Sequence, residues 1–122
     1  MKDTILIIED NEQNLYLMRF LLEKSGFQVT CAMDGLEGIR LACSQKPDAI
    51  LLDIQLPVMD GYAVAAELRK QMDLGTVPII AVTSYAMVGD REQILAAGAT
   101  DYIEKPINPE TFVEQVRKHL HS

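Results

Sequence analysis

The sequence predicts a doubly wound α/β domain, a five-stranded parallel sheet with helices on both faces. Three observations carry this reading. Short apolar runs alternate with helix-period patterns five times along 122 residues. The first and third runs are apolar on both faces, as strands covered on both sides must be. The connections are short, which suits successive βα units. The length suits one domain, residues 1–122, and buries about two-thirds of the unfolded surface.

Each element follows from local chemistry. Thr4-Ile5-Leu6-Ile7-Ile8 is a buried strand rich in β-branched residues. Asn11 caps the first helix and Glu12 puts an acid in its first turn, although Asn14 stands where a capping box needs Glu or Gln. Leu15, Met18, Leu21 and Leu22 share its inner face, and Gly26 stops it. Leu17 and Phe20 lie off that face; one of the two can be core, and an exposed apolar pair there would suit docking of a helical partner. Gln28–Ala32 is a less hydrophobic strand near an edge. The second helix runs from about Leu36 to Ser44, with Ile39 and Ala42 inward. Ala49–Asp53 is a buried strand ending on a carboxylate, and Leu56–Gly61 is a turn-rich loop. The third helix is Tyr62 to about Met72, with Val64, Ala65 and Leu68 inward. After Gly75 and Pro78 come strand Ile79–Thr83, a helix over roughly Gly89–Ala97, and the short strand Asp101–Glu104. Asn108-Pro109-Glu110 starts the last helix, whose apolar stripe is Phe112, Val113, Val116 and Leu120.

Composition excludes several function classes. Lys and Arg total 11 against 18 Asp and Glu, a net charge of −7, so the basic footprint of a nucleic-acid-binding surface is missing. The balance favours basic partners or cations. No stretch approaches the roughly 20 apolar residues of a membrane span, and the chain enters its first strand with no visible leader. Cys31 and Cys43 read as reduced, buried thiols, so the expected location is cytoplasmic. His119 and His121 read as a frayed polar tail.

Polarity concentrates where the strands end. In open parallel sheets ligands bind at that edge. The first strand ends at Glu9-Asp10, the third at Asp53, the fourth at Thr83, and Lys105 follows the fifth. Like charges so close raise one another's pKa unless a cation intervenes. Mg2+, which takes oxygen ligands and retains waters, is the natural companion. Lys105 supplies a point charge and Thr83 a donor, which together suit a phosphoryl group in transfer. Asp53 can be the nucleophile, forming an acyl phosphate. Taken singly, Asp10 is a helix cap, Glu9 a solvated acid, Thr83 a strand end and Lys105 an exposed cation. Their joint placement favours a site.

Ile7–Asn11, Leu51–Gly61, Ala81–Ser84 and Gly98-Ala99 leading to Tyr102–Pro106 together resemble the receiver domain of bacterial two-component response regulators, in its stand-alone form. The resemblance covers the whole chain. It implies a flavodoxin-like (βα)5 fold and phosphorelay signalling. Asp53 would take a phosphoryl group from a histidine kinase or histidine phosphotransfer protein. Asp10, Asp53 and the Gln55 carbonyl would ligate Mg2+, with Glu9 acting through a water. Lys105 and Thr83 would hold phosphoryl oxygens, Tyr102 would be the aromatic switch, and the Lys105-Pro106 bond would be cis. Gln55 and Tyr85 would tune phosphate lifetime, with slow self-dephosphorylation expected because an amide is a poor general base. The surface of the fourth helix, fifth strand and fifth helix, with Met87 and Val88 nearby, would signal to a downstream protein. Such a chain is a switch that promotes its own phosphorylation and dephosphorylation, not a turnover enzyme. Two alternatives stand beside it, a small phosphohydrolase with a carboxylate nucleophile and a phosphate-independent interaction module.

Overall fold

The computed structural model describes residues 3–56, 59–71, 76–84 and 88–120. The five apolar runs form β1 (Thr4–Ile8), β2 (Gln28–Ala32), β3 (Ala49–Asp53), β4 (Ile79–Thr83) and β5 (Asp101–Glu104). Between and after them lie α1 (Glu12–Lys24), α2 (Gly35–Gln45), α3 (Gly61–Lys70), α4 (Val88–Ala96) and α5 (Phe112–Arg117). All strand pairs are parallel, in the order β2-β1-β3-β4-β5. The less hydrophobic β2 is indeed an edge strand. No described helix is long and apolar enough to cross a membrane.

Alternation along the strands divides the core in two. Ile5, Ile7, Leu51 and Val82 pack with Met18 and Leu22 of α1 and Phe112 and Val116 of α5. Leu6, Ile8, Ile50 and Leu52 pack with Ala42 of α2 and Val64, Ala65 and Leu68 of α3. A smaller cluster of Ile54, Ala81, Ile94 and Ala99 seats α4. At Gly38 a Cβ would come 2.4 Å from Ile8 Cδ1, so only glycine lets α2 approach β1 this closely. Gly26, at φ +97°, ends α1 in a Schellman motif: Phe27 N–H donates to the Leu22 carbonyl and Gly26 N–H to that of Glu23, both at 3.1 Å.

Side-chain caps open three helices. Asn11 Oδ1 accepts from Asn14 N–H at 2.9 Å, Asp34 Oδ1 from Glu37 N–H at 2.8 Å, and Asp60 Oδ1 from Ala63 N–H at 2.9 Å. The last helix departs from expectation. The Asn108 carbonyl does accept from Phe112 N–H at 3.0 Å, and its side chain accepts from Glu110 N–H. Residues 109–111 nevertheless form a turn, and regular α5 begins only at Phe112. The side-chain bond to Glu110 closes a tight local turn that competes with a helical first turn.

Two further expectations are corrected. Cys43 is exposed and Cys31 half-buried, because both lie on the sheet-edge side, β2 and the outer face of α2, where little packs over them. His121 lies outside the described residues, but His119 is no frayed tail: its side chain is 18% exposed and its Nε2 lies 2.9 Å from Asp101 Oδ2, tying the end of α5 to the start of β5.

Candidate functional site

Register builds the site. Ile8 pairs with Leu52, so Glu9 comes level with Asp53 one step beyond the paired segment. This is the point where the chain leaves to opposite sides of the sheet, where α/β sheets open a crevice. Carboxylate oxygens of Glu9, Asp10 and Asp53 lie within 4.8 Å of one another. Lys105 enters from the end of β5, its backbone N–H donating to the Thr83 carbonyl at 2.8 Å, and the Lys105-Pro106 bond is cis. Its Nζ lies 3.2 Å from Asp53 Oδ1 and 3.3 Å from Glu9 Oε1.

Burial gives this geometry its force. Glu9 and Thr83 are fully buried and Asp53 is 2% exposed, whereas Asp10 stands out on the rim. Asp53 Oδ1 also accepts from Gln55 N–H at 3.0 Å, while the Gln55 side chain faces outward. Glu9 Oε2 accepts from Asn11 N–H at 3.2 Å. Burial, then the neighbouring Asp53 carboxylate, push the Glu9 carboxyl up to about 7, against the opposing pull of Asn11 and Lys105. Glu9 Oε1 is buried and makes no hydrogen bond, since Lys105 is near it but not in hydrogen-bonding geometry. One ammonium thus serves two buried carboxylates with a third beside them. An orphaned buried oxygen and surplus negative charge fit a small cation with oxygen ligands.

Tyr102 sits half-buried on β5, packed against the cluster that seats α4. The Arg91 guanidinium lies 5.2 Å from its ring centroid, and Arg91 Nη2 lies 3.7 Å from Glu104 Oε1. Tyr85 and Met87, and the side chain of Val88, lie outside the described residues. On α1, Leu17 is the one of the two that packs half-buried against the core, and Phe20 is exposed with a different partner. That partner is Tyr16, 71% exposed, stacked on Phe20, 47% exposed, with ring centroids 6.2 Å apart. The i, i+4 spacing of two aromatics was the available signal.

The family model for the response regulator receiver domain matches residues 5–117. The chain belongs to that family. This receiver is 42% identical over 120 residues to the polar-differentiation response regulator DivK of Brucella anthropi, covering 98% of each chain. Among solved structures it is similar to the receiver domain of a sensor histidine kinase from Pseudomonas aeruginosa, described with a magnesium ion coordinated in its active site cleft. That match has 39% identity, a TM-score of 0.92 and complete coverage of both chains. The chemotaxis protein CheY4 of Vibrio cholerae matches at 28% identity and a TM-score of 0.94, covering 98% of this chain and 100% of the other. The receiver therefore acts in phosphorelay signalling, in a family of switches rather than turnover enzymes.

Proposed function

We propose that Asp53 is the phosphoacceptor. The observation that carries this is the buried triad of Asp53, Glu9 and Lys105 at the β1–β3 crevice. Lys105 and the Gln55 N–H both engage Asp53 Oδ1, which orients the carboxylate and supports Oδ2 as the atom that takes the new bond. As Oδ2 bonds to phosphorus, the bond from phosphorus to the donor nitrogen breaks and its electron pair stays on the donor imidazole. Lys105, already at the carboxylate, then balances charge on a phosphoryl oxygen, and Thr83 supplies a hydroxyl donor to another. Asp10, Asp53 and the Gln55 carbonyl would hold Mg2+, with Glu9 reaching it through a water. Once bound, the ion would neutralise charge building on the phosphoryl oxygens.

The donor is a histidine kinase or a histidine phosphotransfer protein. The Tyr16–Phe20 pair on α1, which begins two residues after Asp10, supports docking of a helical donor beside the acceptor. Tyr102 turns inward when Thr83 engages the phosphoryl group, and the α4, β5 and α5 surface carries the change to a downstream protein. Residues 1–122 act as one receiver domain in the cytoplasm and promote their own phosphorylation and dephosphorylation, Gln55 and Tyr85 setting the lifetime. Incubation with acetyl phosphate and Mg2+, followed by intact mass, tests this. One phosphoryl adduct is expected in the parent and none in Asp53→Asn or without Mg2+. An undiminished adduct in Asp53→Asn would show a different acceptor. Turnover of many phosphate esters per chain would favour a phosphohydrolase instead.

A further inference from the structure

We propose that Arg91 is a positioning residue that holds the Tyr102 ring on the α4 side of β5 and so biases the receiver toward its unphosphorylated arrangement. The inference rests on the phosphoacceptor reading above, in which Tyr102 is the responding aromatic. Tyr102 and Glu104 are two residues apart on one strand, so their side chains stand on the same face. Arg91 reaches across from α4 and meets both, 5.2 Å from the ring centroid and 3.7 Å from Glu104 Oε1. Ile94 is the one fully buried side chain among the described residues of α4, and the Arg91 tie adds a second link from α4 to β5 at the surface.

The tie also lies next to the chemistry. Tyr102 pairs with Ala81 and Glu104 with Thr83, and Lys105 follows directly. A ring that turns toward Thr83 leaves the guanidinium face, so the contact favours only one of the two arrangements. A contact present in one state alone shifts the balance by its full strength. The exposed Arg91–Glu104 pair contributes little of this, so the cation over the ring is the contact that the test isolates. Losing a cation–π contact at an exposed site corresponds to roughly a two- to fivefold shift in population.

The test uses the full chain labelled with 3-fluorotyrosine. It has four tyrosines, and Tyr102→Phe identifies the Tyr102 fluorine resonance by its loss. With no phosphodonor, Arg91→Ala should move that resonance toward its position in the acetyl phosphate and Mg2+ sample. Adduct formation should speed up about two- to fivefold, in line with the cation–π magnitude. Arg91→Lys, which keeps a cation over the ring, should lie nearer the parent than Arg91→Ala does. A parent that gains the adduct, beside an Arg91→Ala variant with unmoved resonance and unchanged rate, overturns the clamp alone. A parent that gains no adduct overturns the phosphoacceptor reading and this inference with it.

Discussion

The β1–β3 rim and the α4–β5 flank lie on one sheet but are built differently. At the rim, Glu9, Asp53 and Thr83 are at most 2% exposed and locked by register between neighbouring strands. On the flank, α4 is seated by Ile94, and its tie to β5 runs through Arg91 and Glu104, both largely exposed. Charges held in a rigid crevice cannot relax away from one another, which suits chemistry. A helix with one buried side chain among its described residues and a surface tie opens at low cost, which suits a response.

The strongest way to break this comparison is to cut both regions in parallel. Leu51→Ala, beneath the rim, should destabilise the whole domain by about 2–5 kcal/mol in urea denaturation and speed amide exchange throughout. Ile94→Ala should speed exchange mainly in α4. If both variants loosen every element equally, the flank is no softer than the rim. Mg2+ sharpens the contrast from the other side. At a hundredfold excess over its dissociation constant it should stabilise the parent by about 2.7 kcal/mol. The gain should vanish in Asp10→Asn, and hydrogen exchange should show it at β1 and β3. A gain retained in Asp10→Asn would place the ion elsewhere.

The smallest effect concerns the Asp101–His119 tie. Burial would raise the Asp101 carboxyl, but the Tyr102 N–H, His119 and Lys118 outweigh it and hold it below its ordinary 3.8. A depressed carboxyl stabilises the fold above the unfolded value, and the contribution is lost as pH falls through the folded one. Asp101→Asn should therefore cost less than about 1 kcal/mol at neutral pH, as partly exposed pairs do. Its penalty should start to shrink as pH falls past 3.8 and be gone only below the folded value. A penalty that persists in acid would mean the role of Asp101 is not ionic.

The strands and the acidic rim were legible because their signals are local. A β-branched run marks β1 and a continuous apolar run marks β3, and each places its acid at the strand end by counting alone. The Asn108 start misled because the same side chain that caps a helix also closes a turn onto Glu110. Contacts between elements left no spacing to read. Arg69, for example, donates to the carbonyls of Gly98 and Val77, both at 2.8 Å, and joins α3 to segments many residues away. Arg91 meeting Tyr102, and His119 meeting Asp101, are of the same kind. Glu9 reads as a solvated acid when taken alone, and only the β1–β3 register reveals that it is buried.

Peptide mapping of the parent after acetyl phosphate and Mg2+ tests most directly whether these carboxylates form one acceptor site. The phosphoryl group should be found on the peptide containing Asp53, and nowhere else. Recovery of the label on Asp10, Glu9 or His119 with Asp53 unmodified would contradict the account.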